Sequence, residues 1–119
     1  MASYNLVRSL ETKEVRNINM TANENRIVKA LLNKAFEAGY VVSVNDGEEW
    51  VVKHSSNLKE CLEAMASTDG DILKIRRKID DTEHYELVAT VWLVWGNDED
   101  VISDHSDTEE ANEFMKGIY

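Results

Sequence analysis

Residues 72–107 decide how this chain is read: I-L-K-I-R-R-K-I (72–79), D-D-T-E-H (80–84) and Y-E-L-V-A-T-V-W-L-V-W-G-N-D-E-D-V-I-S-D-H-S-D (85–107). A strand of mixed character, a polar turn and a long apolar strand lead into a loop crowded with carboxylates. Paired positions in an antiparallel hairpin keep a constant sum, so placing Ile79 opposite Tyr85 sets Ile75 against Ala89 and Leu73 against Val91. The odd-numbered residues Leu73, Ile75, Ile79, Tyr85, Leu87, Ala89, Val91, Leu93 and Trp95 then share a core face. The even-numbered face sets Ile72, Lys74, Arg76 and Lys78 against Trp92, Thr90, Val88 and Glu86, half basic and half apolar, with Lys78 expected to pair with Glu86. A one-residue slip would mix the two sets.

Upstream, T-A-N-E (21–24) has the form of a capping box, with Thr21 accepting from the third helical amide and Glu24 reaching back. Ile27, Val28, Leu31, Leu32, Ala35, Phe36 and Ala38 follow at helical spacing, and Gly39 is placed to end the helix in the left-handed conformation. Two β-branched runs flank Asp46-Gly47 in Y-V-V-S-V-N-D-G-E-E-W-V-V-K-H (40–54). Asp-Gly predicts a hairpin with a two-residue type I′ turn, pairing Val44 with Glu49, Val42 with Val51, Ser43 with Trp50 and Val41 with Val52. Both faces of that hairpin carry apolar groups. The same two-sidedness in the second hairpin predicts a sheet covered on both faces, by helices on one and by another subunit on the other.

Ser56 or Asn57 starts a second helix, with Glu60 completing a looser box and Leu58, Cys61, Leu62 and Met65 as its buried stripe. Ser106 and Glu109 offer a further box before Ala111, Phe114, Met115 and Ile118, a final amphipathic helix. Residues 1–20 match neither helical nor strand period and are read as an N-terminal arm, ahead of one domain at 21–119. The expected fold is α+β: a four-stranded, mainly antiparallel sheet of two hairpins with three helices, in the order α-β-β-α-β-β-α.

The chain has 119 residues, enough for one domain with a core of its own. No signal-like run opens it, and the apolar stretch 87–95 is half a membrane span, so a soluble cytoplasmic protein without membrane contact is expected. Its single cysteine, Cys61, agrees with a reducing compartment. The net charge of -10 is lopsided: residues 80–119 hold one basic and twelve acidic side chains. Such a balance disfavours direct nucleic-acid binding and fits a basic partner protein.

Catalytic patterns are weak. The glycines form neither a dinucleotide fingerprint nor a phosphate loop, and Cys61 lies on an apolar stripe where a thiolate is disfavoured. No cofactor is implied. Asp98, Asp100, Asp104, His105 and Asp107 are hard-cation ligand types, but they lack the spacing and glycine of a calcium loop, and no metal is assigned. Metal-dependent hydrolysis at Asp98, Asp104 and His105 is a third reading of the chain. The leading one rests on Asp98, Glu99, Asp100, Asp104, Asp107, Glu109, Glu110 and Glu113: eight carboxylates without a cation among them. Held rigidly, such an array occupies a surface built for phosphates.

The segments S-V-N-D-G-E-E-W-V-V-K (43–53), A-S-T-D-G-D-I-L-K-I-R (66–76) and V-W-L-V-W-G-N-D-E-D-V-I-S-D-H-S-D (91–107) resemble small bacteriophage and prophage proteins of unknown function. The resemblance spans roughly residues 40–110 and transfers no catalytic residue. It implies a small accessory protein in a bacterial cytoplasm, a setting in which acidic inhibitors of host defence or regulation occur. The expected function is therefore a non-catalytic inhibitor whose acidic end, a DNA mimic, covers the basic surface of a host protein. The alternative is a small assembly module that dimerises through Val88, Trp92 and Val94.

Overall fold

The computed structural model describes residues 20–79 and 83–118. Most of the N-terminal arm, and residues 80–82 of the expected D-D-T-E-H turn, lie outside the described residues. Helix α1 (Ala22–Glu37) begins where the capping box predicts: Thr21 Oγ1 accepts the Glu24 amide at 3.1 Å and Glu24 Oε1 accepts the Thr21 amide at 2.9 Å. Its stripe of Ile27, Val28, Leu31, Leu32 and Ala35 is buried, and Gly39, at φ 83°, turns the chain out of the helix.

Strands β1 (Tyr40–Asn45) and β2 (Trp50–Ser55) follow, then helix α2 (Leu58–Ala64), strands β3 (Gly70–Lys78) and β4 (Tyr85–Val94), a 3-10 turn (Asp98–Asp100), strand β5 (Ile102–His105) and helix α3 (Glu109–Met115). The fold is α+β; the described residues form three helices and one antiparallel sheet of five strands in the order β2-β1-β3-β4-β5. The expected sheet had four strands. The fifth, I-S-D-H, is short, polar and at an edge, so it carries no hydrophobic period that would distinguish it from a loop.

The first hairpin is not closed by a two-residue turn. Asp46 Oδ1 accepts the amides of Glu48 and Glu49, and the Asp46 amide reaches the Glu49 carbonyl, so residues 46–49 form one capped loop. Pairing therefore moves to Asn45 with Trp50, Val44 with Val52 and Val42 with Ser55. Strand β1 also pairs with β3, Val42 opposite Ile75 and Val44 opposite Leu73, which makes it an inner strand with β3 at the sheet's centre.

In the second hairpin the expected register holds from Ile72–Trp92 to Ile75–Ala89 and then slips by one, to Arg76–Leu87, Arg77–Glu86 and Lys78–Tyr85. A β-bulge at Val88 causes the slip. It admits Val88 and Ala89 consecutively to the core, so Val88 is 3% exposed while Leu87, expected inside, is 46% exposed. Ile79 is likewise exposed and Tyr85 is half-buried on the opposite face. The slip also replaces the expected Lys78–Glu86 pair: Arg77 binds Glu86, and with its other nitrogen Glu110 at the start of α3.

All three helices close over one sheet face, where their buried residues and Val42, Val44, Leu73, Ile75, Ala89, Val91 and Leu93 form a single core. Strands β3 and β4 approach so closely at one end that a Cβ on Gly70 would lie 2.6 Å from the Leu93 carbonyl oxygen. No described element covers the other face, where Trp50, Leu87, Trp92 and Val94 are exposed. Among the described residues no helix is long and apolar enough to cross a membrane.

Candidate partner-binding edge

The carboxylates singled out in the sequence follow the β5 side of the sheet. Asp98, Glu99 and Asp100 form the 3-10 turn beyond the Val94 end of β4. Asp104 lies on β5 opposite Trp92, and Asp107, Glu109, Glu110 and Glu113 belong to the approach to α3 and to α3 itself. Glu110 reaches Arg77, which also holds Glu86 beside the first residue of β4, so the row runs from one end of β4 to the other.

What fixes the near end of this row is a buried glutamate from the other end of the chain. Glu24 is fully buried, and while its Oε1 caps α1, its Oε2 accepts the amides of Gly96, Asn97 and Asp98, each at 2.8 Å. The chain presents three successive amides to one oxygen only by taking unusual backbone angles: Gly96 lies at φ 93° and Asp98 at φ 56°. Such a concavity of consecutive amides is an anion receptor, here filled by the protein's own carboxylate. In the sequence Glu24 reads only as the capping-box glutamate, and nothing local to residues 96–98 names their acceptor.

The eight acidic residues are not equivalent. Asp98 accepts the Thr21 hydroxyl at 2.9 Å and the Asn23 amide group at 3.1 Å, so it fastens the start of α1. Asp107 accepts the Asn112 side chain at 2.9 Å within the first turn of α3. Glu110 is neutralised by Arg77, whose guanidinium is held well above its usual pKa, by Glu110 first and Glu86 second. Glu113 pairs with Lys116 at 3.1 Å, both well exposed. Glu99, Asp100, Asp104 and Glu109 are exposed, and among the described residues no cation lies within ion-pair distance of them.

Helix α3 starts at Thr108, whose Oγ1 accepts the Ala111 amide, and not at Ser106. Ser106 instead accepts the Thr90 amide beyond the end of β5. Lys34 closes the other end of α3 by donating to the carbonyls of Phe114 and Lys116. Between these helices Tyr40, Phe114, Lys34 and the three α3 glutamates line a groove of about 610 Å³. Two of its glutamates, Glu110 and Glu113, are balanced by Arg77 and Lys116, which leaves it the less acidic part of the edge.

Asp98, Asp104 and His105 do not converge: no group of three or more His, Cys, Asp or Glu among the described residues is placed to hold a metal ion. Cys61 is buried, and burial pushes its thiol up to about 11. Of the three residues expected to self-associate, Trp92 and Val94 are exposed on the uncovered face, while the bulge turns Val88 into the core. No protein-family model, curated protein or solved structure matches the chain.

Proposed function

We propose that this is a non-catalytic binding protein whose β5 edge docks on a cationic, nucleic-acid-binding surface of another protein. The observation that carries the reading is the set of four exposed carboxylates, Glu99, Asp100, Asp104 and Glu109, borne on a turn, a strand and a helix, with no counter-ion among the described residues. A loop that served only to keep the chain in solution would need no buried anchor, whereas residues 96–98 are held by Glu24 through three hydrogen bonds. Preorganised charge loses little entropy on docking.

Magnitudes set the scale of the contact. Strand β4 has ten residues, and at ~3.3 Å per residue its length is about 30 Å. The four carboxylates with no ion pair among the described residues come to roughly one per 8 Å over that length, against the ~3.4 Å between phosphates along one nucleic-acid strand. The row therefore offers a cationic surface a few fixed charges, not a phosphate-for-phosphate copy of a strand. In keeping with the phage resemblance of the sequence, the partner proposed is a host protein that binds nucleic acid, and inhibition follows from occupancy of its groove.

Reversal of Asp98 would also cut α1 from its anchor, so the test spares it. Immobilised wild-type protein, incubated with bacterial lysate, is expected to retain a protein that duplex or single-stranded DNA displaces and that salt elutes. The variant E99K/D100K/D104K/E109K, with an unchanged circular dichroism spectrum, is expected to lose that protein. Capture that survives the four reversals, or that DNA does not displace, overturns the proposal.

A further inference from the structure

The sheet face that no described element covers has a charge pattern of its own, distinct from the β5 edge. At the end where β3 begins, Asp46, Glu48 and Asp69 border a groove shared with Ile72, Trp92 and Val94. From the middle of β3 to its other end the same face presents Lys74, Arg76 and Lys78, which alternate with the core residues Leu73 and Ile75. Among the described residues no carboxylate lies within ion-pair distance of these three cations. Two contacts hold this basic half in place: Arg76 donates to Ser43 Oγ at 3.3 Å, and the His54 ring stacks on Tyr85 with centroids 3.9 Å apart. The face is therefore acidic and apolar at one end and positive from its middle to the other.

We infer that this face is the contact surface of a homodimer, in which two copies stack sheet to sheet with their strands running in opposite directions. A two-fold axis lying in the contact plane along the strands would set acidic end on acidic end. An axis in that plane but perpendicular to the strands sets each acidic end on the partner's basic end, so one surface is complementary to itself. The same operation lays Trp92 and Ile72 of each copy over Arg76 and Leu87 of the other, where an indole can meet a guanidinium and exposed indole and aliphatic surface leaves water.

Size permits it. Four or five strands at ~4.8 Å spacing and ~25 Å length give roughly 500 Å² of flat area per copy. With side-chain relief this approaches the ~800 Å² per partner of an ordinary stable interface. A net charge of -10 per chain opposes association at long range. At physiological salt, though, charges beyond ~8 Å are largely screened, so the contacting ends decide the outcome. The operation leaves both β5 edges on one side of the pair, so the proposed partner-binding row is doubled and stays open.

Sedimentation equilibrium over a wide concentration range tests the inference without any partner. Wild-type protein is expected to reach twice the chain mass. K74E/K78E and E48K/D69K should each raise the dissociation constant on the order of 100-fold, because like charges then meet at both ends. An equimolar mixture of the two variants should restore the dimer as a heterodimer, an outcome that misfolding of either variant would not give. Wild-type protein that stays monomeric overturns the inference. So does a dimer whose mass ignores both variants. If the monomer instead binds a fluorescent oligothymidine that K74E/K78E abolishes, the face belongs to single-stranded nucleic acid and the dimer is rejected. The edge variant E99K/D100K/D104K/E109K should dimerise as wild type does, so failure of the edge proposal and failure of this one are separately visible.

Discussion

Glu24 and Asp98 tie the start of α1 to the 3-10 turn from both sides: Glu24 Oε2 accepts the Asp98 amide at 2.8 Å, and the Asp98 carboxylate accepts from the Thr21 hydroxyl and the Asn23 side chain. Two acidic side chains lie side by side because each faces amides and hydroxyls instead of the other's charge. The 3-10 turn is thus part of the α1 cap. Glutamine at 24 would keep one acceptor and turn an NH₂ group toward amides that also donate. Glu24→Gln is expected to lower stability by about 2–4 kcal/mol, the scale of buried donors left unpaired. Urea unfolding measures the loss. Amide exchange should show Gly96, Asn97 and Asp98 losing protection before the sheet does, and uniform loss across the chain would contradict the anchor role.

Asp71 is the buried carboxylate with the opposite character. Its Oδ2 accepts the Ala66 amide at 2.8 Å and the Trp95 indole N–H at 2.7 Å, while Oδ1 has no hydrogen-bond partner among the described residues. Burial raises its pKa, and the two hydrogen bonds only partly oppose that. The folded state therefore holds the proton more tightly than the unfolded chain. Any stability this group contributes is present in full below the unfolded value near ~3.9 and is lost as pH rises through the folded value. Against Asp71→Asn, which cannot titrate, wild-type protein should lose ground across that window, with a slope no steeper than about 1.4 kcal/mol per pH unit. Urea midpoints at a series of pH values check it; parallel curves for the two proteins would contradict the raised pKa.

Cys61 gives a simpler readout of the core. Fully buried on α2, and with its thiol pushed up to about 11 mainly by desolvation, it has little thiolate at neutral pH and no path for reagent. Ellman's reagent is expected to react with native protein only at the rate of unfolding and immediately in denaturant. Rapid reaction of the native protein would mean that α2 does not lie against the sheet.

Helix α1 was legible because its signals are local: Thr21 and Glu24 are three residues apart, and the buried stripe repeats within the helix itself. Half of the β3–β4 register was legible for the same reason. Alternation ends at Val88 and Ala89, two neighbours that both enter the core, and no period of two predicts a bulge. The pairing of β1 with β3 and the polar strand Ile102–His105 depend on contacts distant in sequence. So does the division of labour within the acidic row. Composition shows eight carboxylates, but that Asp98 secures a helix, Glu110 an arginine and Glu99 neither follows only from the fold.

That division makes a further prediction. Asp98 takes part in two side-chain hydrogen bonds and lies at φ 56°, a conformation that asparagine also tolerates. Asp98→Asn keeps the backbone but retains only one acceptor oxygen for two donors, and should cost about 1 kcal/mol. Glu99 and Asp100 meet no cation among the described residues and stand beside Asp98, so each charge adds repulsion and no bond. Glu99→Gln with Asp100→Asn should therefore leave stability unchanged or raise it by a few tenths of a kcal/mol, within the usual range for surface changes. Added salt should shrink that gain, because screening already removes the repulsion in wild-type protein. Thermal unfolding of the three proteins at low and high salt separates the cases. If Glu99→Gln/Asp100→Asn destabilises as much as Asp98→Asn does, these carboxylates are committed to the fold and are not free to meet a partner.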